Sequence, residues 1–368
     1  MSKITKYIGL DVHKDSISIA VAEPGRSKPQ FLKRIPGDNG RLLKVLRTLG
    51  PLDSLHCAYE AGPTGYPLHR LLTEKGVRCE VVAPSEIPMK KGKRVKTDRI
   101  DAISLAHHLR AGNLVAVCVP DEEIEAMRDL VRARDDVKIV EKSAKHRLSK
   151  FLLRHGRSYP GKTNWTNMHL DWIRKQRFER EAQECVLREY LHAVVQRGEQ
   201  LERLGDALAR LVEGCKLEPL IKALQAMRGI KLLTASSLAF ELIDLRRFAT
   251  APKLMSYLGL VPSEDSSGGR RRQGSITKAG NKRIRTLLTE AAWNCRFKPQ
   301  RTAHLRKRQE GISQEVKDIA WKAQERLHQR YKSLSVRGKP HQCMITAMAR
   351  ELAGFIWAIG QQDKLLVV

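Results

Sequence analysis

The sequence predicts an α/β domain, then a long helical hairpin or coiled coil, then a mostly α-helical domain. Three observations support this fold class. The first 120 residues alternate short β-rich runs with amphipathic segments. Two long charged stretches in the middle carry apolar residues three and four positions apart, and beyond residue 217 the pattern is globular and helical. The predicted domains are therefore residues 1–120, 121–216 and 217–368.

The charge balance points to nucleic acid as the partner. The 368 residues include 68 basic and 40 acidic side chains, a net charge of +28. Basic side chains release counterions from a phosphate backbone, so such an excess favours polynucleotide binding over a small-molecule enzyme. An anionic membrane surface is the rival partner, but we find no lipidation motif and no apolar run of about 18 residues. The seven scattered cysteines form no CxxC pair, which indicates reduced thiols in a cytosolic protein.

The N-terminal pattern indicates three meandering strands followed by alternating helices and strands. This is the element order of an RNase H-like domain. A short segment at 114–120 is a candidate edge strand. The predicted strands are 6–12, 17–23, 29–35, 54–60 and 78–84, and the predicted helices are 41–49, 65–75 and 98–111.

Four acids occupy positions that can converge at one edge of this sheet. Asp11 lies inside the first strand, Glu60 ends the fourth, and Asp98 and Asp101 share one face at a helix start. Singly, Asp98 could be a helix cap and Glu60 a turn residue, whereas Asp11 would be costly inside a buried strand without a partner. Together they predict an oxygen-ligand site for Mg²⁺, with Mn²⁺ as the alternative, suited to phosphodiester chemistry. His13 lies two residues beyond Asp11, and we expect a structural role for it.

A basic stretch precedes the two helical acids. It is either a solvated surface loop or a phosphate contact beside the metal site. Its basic residues are Lys90, Lys91, Lys93, Arg94 and Lys96.

The middle segment contains two long amphipathic stretches joined by a basic, aromatic link. They predict an antiparallel hairpin or a dimerising coiled coil. The link residues Tyr159, Trp165, Trp172 and Phe178 either stack on bases or pack the end of the hairpin.

The segment SEDSSGGRRRQGSITKAG, residues 263–280, combines adjacent serines with a run of cations. From these residues alone, it reads as a basic DNA-binding loop in which Ser266 and Ser267 are incidental. The alternative is a serine nucleophile whose developing charge is stabilised by guanidinium groups. The basic residues between Ser266 and Thr289 are Arg270, Arg271, Arg272, Lys278, Lys282, Arg283 and Arg285.

Together these motifs resemble one family across nearly the whole chain: the DEDD transposases of bacterial insertion sequences, which act as bridge-RNA-guided recombinases. The resemblance rests on YIGLDVHKDSI, YEAGPTGY, KTDRIDA and LGLVPSEDSSGGRRRQGSITKAGNKRIRTLLTEAAW, in the family's order. It implies a RuvC-like domain, a helical connection and a transposase domain. It also implies that Asp11, Glu60, Asp98 and Asp101 bind Mg²⁺, and that Ser267, with Ser266 as the alternative, forms a covalent phosphoserine link to DNA.

The resemblance further implies the partners of this enzyme, a DNA transposase or recombinase. They are donor and target DNA, a structured guide (bridge) RNA, and a homodimer that pairs into a tetramer, without a membrane partner. The expected location is the bacterial cytoplasm, in association with the nucleoid. Two other functions stay open: a metal-dependent RuvC-like junction nuclease that uses water, and a non-catalytic scaffold that binds RNA or DNA.

Overall fold

The computed structural model describes residues 3–84, 87–88, 97–267 and 270–362, with the backbone alone at Ser267 and Arg271. The chain divides into two compact units, Met1–Val119 and Pro120–Val368. The hairpin and the C-terminal helices belong to the same unit. The finer division at residue 216 stays a prediction.

The N-terminal unit is built on a five-stranded mixed sheet, as the sequence predicts. The strand order is β3-β2-β1-β4-β5. The first three strands are antiparallel, and β4 and β5 run parallel to β1. The strands are β1 (Lys6–Val12), β2 (Ser16–Ala22), β3 (Gln30–Pro36), β4 (Leu55–Glu60) and β5 (Arg78–Val82), and the helices are α1 (Asn39–Leu49), α2 (Pro67–Glu74) and α3 (Asp98–Arg110).

The two faces of the sheet are covered differently. Ile8 and Leu10 of β1 point into the main core with residues of α1 and α2. The opposite face receives α3 through small side chains, including Ala20 and Ala102. Because side chains alternate along a strand, Gly9 and Asp11 lie on the face that α3 covers. The predicted edge segment at 114–120 makes a single antiparallel bridge, between Val82 and Ala116.

The C-terminal unit begins with two long helices, α4 (Glu122–Arg154) and α6 (Glu181–Val212). The start of α4 shares a core cluster with the end of α6, and the end of α4 shares another with the start of α6. The two helices are therefore antiparallel neighbours, as a hairpin requires. A dimerising coiled coil stays a prediction.

The remaining elements of this unit are mostly helical, as predicted. They are α5 (Asn167–Lys175), α7 (Glu218–Gln225), α8 (Leu232–Leu242), α9 (Ala251–Tyr257), β6 (Pro262–Ser267), β7 (Arg270–Ile276), α10 (Lys282–Ala292), α11 (Ala303–Arg308), α12 (Gln314–Val336) and α13 (His341–Gly360). Most of them pack around one large core, whereas α5 packs with the end of the hairpin through Ile173.

The serine segment is not the loop that the sequence predicts. It forms an antiparallel hairpin in which Ser266 pairs with Arg271 and Ser267 with Arg270. The side chains described on β6 and β7 are largely exposed. Strand propensity and burial therefore give little signal here, and backbone pairing decides the conformation.

The sequence prediction that no apolar run could span a bilayer is also corrected. The helix α13 is long and apolar enough by length and composition. However, Ile345, Met348, Leu352 and Ile356 lie on its buried side within the core. The apolar residues of α13 thus contribute to packing within the C-terminal unit.

Candidate active site

The first candidate site lies at the end of β1, where Asp11 faces the start of α3. Its side chain is only 13% exposed. Asp11 Oδ2 lies 3.2 Å from His13 Nε2, which in turn lies 3.7 Å from Asp98 Oδ1. Ligand atoms of these three residues all lie within 4.8 Å of one another. The strand and the helix thus bring together two of the predicted acids and one histidine.

Local sequence explains why α3 begins at this point. The side chain of Thr97 caps the helix by accepting a hydrogen bond from the backbone N–H of Ile100. Asp98 and Asp101 consequently occupy the first turn. A Cβ on Gly9 would lie 2.1 Å from the carbonyl oxygen of Ala102, so only glycine permits this close approach of α3 to β1.

The electrostatics of Asp11 reflect its surroundings. Burial raises the pKa of its carboxyl, and the negative charges of Asp98 and Asp101 raise it further, while His13 opposes the shift. A carboxylate that is costly to ionise beside other acids would be stabilised by a cation. This donor set therefore fits a divalent metal ion, for which Asp11, His13 and Asp98 offer ligand atoms.

The other two predicted acids are Asp101 and Glu60. Asp101 is related to Asp11 by its charge, and Glu60 by strand pairing. Asp101 influences Asp11 through its charge. Glu60 follows Tyr59, which pairs with Leu10, so Glu60 ends the strand beside Asp11 at the same sheet edge. Among the described residues, the group of ligand atoms within 4.8 Å contains neither Glu60 nor Asp101.

Arg34 is a site residue that the sequence analysis missed. Its guanidinium Nη2 lies 3.6 Å from Asp98 Oδ2 and donates a hydrogen bond to Ser16 Oγ at 2.8 Å. Arg34 sits on β3, and nothing in the local sequence marks it, because the strand pairing of β2 with β3 creates the contact. For His13, the signal was its position two residues after Asp11 on one strand face.

A second candidate site is the hairpin that carries the serines, which lies in the C-terminal unit. Ser266 Oγ donates a hydrogen bond to Glu264 Oε1 at 2.9 Å. Arg270 and Arg272 are exposed on the facing strand. Cations next to a hydroxyl suit an anionic substrate.

Of the residues predicted to contact nucleic acid, some are exposed and others are held by contacts within the protein. Lys278 and Lys282 are exposed. Arg283 pairs with Asp135 at 2.9 Å, and Arg285 donates to three backbone carbonyls, of Leu258, Ala279 and Gly280. These last two arginines therefore also hold the segment in place. Lys90, Lys91, Lys93, Arg94 and Lys96 lie outside the described residues.

Comparison with known proteins matches both the N-terminal and the C-terminal part of the chain to transposases. The profile for IS110-type DEDD transposases matches residues 8–156, and the profile described as the transposase IS116/IS110/IS902 family matches residues 221–306. The Sinorhizobium fredii protein y4qE, whose name describes it as a transposase, is 44% identical over 97% of this chain and 89% of its own length. The chain belongs to the IS110/IS116 transposase family.

More distant relatives are also named as transposases for insertion sequence elements. The transposase for insertion sequence element IS1533 of Leptospira borgpetersenii is 30% identical over 90% of this chain and 97% of its own length. The transposase for IS1328 of Yersinia enterocolitica is 26% identical over 77% of this chain and 82% of its own length. The protein is thus an insertion-sequence transposase, an enzyme class that cuts DNA and transfers its strands.

Each profile match contains one of the two candidate sites. The first contains Asp11, Glu60, Asp98 and Asp101, and DEDD transposases typically bind a divalent metal ion. The second contains the serine hairpin and the start of α10. In this transposase the acids and the serines therefore belong to separate compact units.

Proposed function

We propose that this transposase cleaves and rejoins DNA through a covalent phosphoserine intermediate, guided by a structured RNA. The observation that carries the proposal is the grouping of Asp11, His13 and Asp98 at one sheet edge, in a chain whose other matched segment presents a serine among exposed cations. Either part alone would suit a nuclease or a binding protein. Their combination suits strand transfer without a high-energy cofactor.

The acids contribute a site for cation-assisted phosphate chemistry. Asp11, Asp98, Asp101 and Glu60 would hold the ion, and His13 is positioned as a further ligand. When bound, Mg²⁺, or Mn²⁺ as the alternative, supplies positive charge to the scissile phosphate. Arg34 balances the charge of Asp98 from the other side.

The serine contributes the covalent step. Its Oγ forms a bond to phosphorus while the bond from phosphorus to one deoxyribose oxygen breaks, and the serine proton is lost as that oxygen gains one. Attack by the oxygen of a second strand reverses these changes and releases the serine. Ser267 is the proposed nucleophile. Ser266 is the alternative, since its bond to Glu264 is the arrangement of a nucleophile and a base.

The assembly we propose contains donor DNA, target DNA and a structured guide RNA that selects sequence by base pairing. The protein acts as a homodimer that pairs into a tetramer, so that acids of one subunit meet a serine of another. Its net charge of +28 suits a protein that holds both RNA and DNA. The proposed location is the bacterial cytoplasm, associated with the nucleoid.

Trapping of the protein–DNA adduct tests this proposal. End-labelled substrate DNA is incubated with the protein, Mg²⁺ and the noncoding RNA encoded beside the gene, and denaturing gels detect labelled protein. The wild type should give an adduct that disappears in Ser267→Ala and persists in Ser266→Ala. Asp11→Asn should lose product while RNA binding survives. An undiminished adduct in the double serine variant would overturn the serine mechanism.

The same experiment separates the other candidate functions. A junction nuclease that uses water would leave free 5′-phosphates and no trapped protein. A scaffold would bind equally well in chelator and yield no metal-dependent product. The acid group weighs against the scaffold, because negative charge near phosphate weakens binding unless a cation is present.

A further inference from the structure

A basic groove on the α4–α6 hairpin, distinct from both candidate sites above, has chemistry that suits a phosphate backbone. It runs along one face of α4, is also lined by Trp165, and has a volume of about 730 Å³. Four basic side chains line it, Lys138, Lys142, Lys145 and Arg147, against one acid, Glu141. We refer to this surface as the α4 groove.

The basic side chains of the α4 groove differ in how far acidic neighbours already neutralise their charge. Lys145 Nζ lies 2.6 Å from Glu141, so that pair is largely self-neutralised. Lys138 makes a looser contact of 3.7 Å with Glu290 of α10. Lys142 and Arg147 are exposed, and among the described residues neither has an ion-pair partner. These two are the cations that gain most from an external anion.

Trp165 lines the groove beside Lys145 and has an unusual backbone conformation. Its φ is +65°, which is rare for a bulky residue and is found mainly where surrounding contacts impose it. Here its backbone N–H donates to His169 Nδ1 at 2.8 Å, and Lys145 Nζ lies 5.5 Å from the centre of its ring.

The other aromatic residues of the link behave differently. Tyr159 and Trp172 contact each other with ring centroids 5.5 Å apart, and Phe178 contacts Phe151 at 5.4 Å. Trp172 and Phe178 pack against the core at the end of the hairpin, and Trp165 packs against the same core. Only Trp165, among these four link aromatics, lines the α4 groove.

The α4 groove lies next to α10, the helix that follows the serine hairpin. Arg283, in the first turn of α10, pairs with Asp135 of α4 at 2.9 Å, and Lys138 of α4 approaches Glu290 of α10. From Lys138 to Ser149 the groove spans eleven helical steps, or about 16 Å. That length corresponds to about five phosphates of one duplex strand.

We propose that the α4 groove binds the phosphate backbone of the substrate DNA beside the position where the serine hairpin acts. Lys142 and Arg147 contact phosphates, and Trp165 bounds the path of the strand. The contacts carry no base recognition, because the cations reach only backbone oxygens. The proposal rests on the proposed function in one respect, that the C-terminal unit holds substrate DNA, and it does not require the covalent step at the serine.

The test measures DNA affinity of the full-length protein in chelator, so that cleavage does not interfere. A fluorescein-labelled DNA duplex and a matched RNA are titrated with wild type and with Lys142→Glu/Arg147→Glu, over about 50 to 200 mM salt. The groove variant should bind DNA about tenfold more weakly, and its salt slope should be smaller by about 1.8, the value for two lost phosphate contacts. RNA affinity should change less.

The matched control is Arg203→Glu/Arg210→Glu, which makes the same charge change at exposed positions of α6. It should leave the salt slope unchanged. Equal losses in the two variants, or a loss confined to RNA, would overturn the proposal. The neutral pair Lys142→Gln/Arg147→Gln decides the question if circular dichroism shows that charge reversal unfolds the hairpin.

Adduct formation by the wild type is measured separately, so the two proposals can fail independently. If no adduct forms but the groove variant binds DNA weakly, the serine mechanism fails and the α4 groove stands. If the adduct forms but the groove and control variants bind DNA equally well, the serine mechanism stands and the proposal for the α4 groove fails.

Discussion

Glu241 Oε2 accepts a hydrogen bond from Asn281 Nδ2 at 2.9 Å inside the C-terminal unit. This contact is important because Asn281 and Glu241 make further hydrogen bonds, to the start of α10 and to α4 respectively. Asn281 caps α10 by accepting from the backbone N–H groups of Arg283 and Ile284. Glu241 also receives a two-point contact from Arg132 of α4, at 2.8 and 3.0 Å. The start of α10, close after the serine hairpin, is thereby fixed to both α8 and α4.

Replacing Glu241 should therefore destabilise the C-terminal unit. Its side chain is 4% exposed, and the nearby Arg128 is 8% exposed. Burial raises the pKa of Glu241, but hydrogen bonding and the charges of Arg132 and Arg128 outweigh burial and hold it below its usual value. Glu241→Ala should cost about 3–5 kcal/mol, because it leaves buried positive charge without its partner.

Chemical denaturation followed by circular dichroism measures this change in the free energy of unfolding. Glu290→Ala on α10 is the control, since its contact with Lys138 is exposed and should contribute less than about 1 kcal/mol. Similar losses in the two variants would refute the role of Glu241.

Glu80 should make the stability of the N-terminal unit depend on acid pH. Its Oε1 lies 2.9 Å from His56 Nε2, and this hydrogen bond is the main reason that the pKa of Glu80 lies below its usual 4.5. A lowered pKa in the folded state adds stability above pH 4.5, and that stability disappears as pH falls through the lowered value.

Melting curves of wild type and Glu80→Gln from neutral to acid pH test this expectation. The difference in melting temperature should be constant at neutral pH and shrink below pH 4.5, where the wild type loses its advantage. Glu23→Gln, at an exposed position, should follow the wild type throughout. A wild-type advantage that grows on acidification would contradict the argument.

The strands of the N-terminal sheet could be predicted because their signals are local. The run predicted at 6–12 is β1, and the one predicted at 29–35 differs from β3 by a single residue. Alternating apolar residues and short polar turns suffice for such strands. The same alternation made Asp11 a candidate, since a carboxylate within an apolar strand needs a partner.

The residues that were missed depend on distant parts of the chain. Arg34 reaches Asp98 only because β3 joins the sheet through β2. Glu241 carried a weak signal, a single acid within an apolar helix, but its partners on α4 lie more than a hundred positions away. The β6–β7 hairpin was missed because its polar side chains provide no burial pattern.

Gly9 should be essential for the geometry of the acid group. An added Cβ would lie 2.1 Å from the oxygen of Ala102 and 2.5 Å from the nitrogen of Ala106, both backbone atoms of α3. Gly9→Ala should displace α3 from β1 and lower the free energy of unfolding by about 1–3 kcal/mol or more. Denaturation of the variant measures this loss, and a neutral substitution would contradict the predicted clash.

Gly198→Ala should have the opposite effect. Gly198 lies within α6, and an added Cβ meets no atom within 4 Å. Alanine is favoured over glycine in a helix interior, so the variant should gain about 0.5–1 kcal/mol. Thermal melting measures the gain. A loss of stability would mean that this side of α6 is covered in solution.

Mn²⁺ should stabilise the N-terminal unit, and removal of ligand carboxylates should abolish the effect. The three potential ligands Asp11, His13 and Asp98 lie within 4.8 Å of one another. An ion that binds only the folded state raises stability in proportion to the logarithm of its concentration. The melting temperature of the wild type should therefore rise with added Mn²⁺ and return to its original value in chelator.

Three variants and one control make this measurement specific. Asp11→Asn and Asp98→Asn should lose most of the Mn²⁺ response because each removes a negatively charged ligand. His13→Ala should lose only part of it, because a neutral imidazole contributes less to holding a divalent cation. Asp53→Asn, elsewhere in the same unit, should respond as the wild type does. If all four variants respond as the wild type does, the ion binds outside this group, and the closeness of these carboxylates requires another explanation.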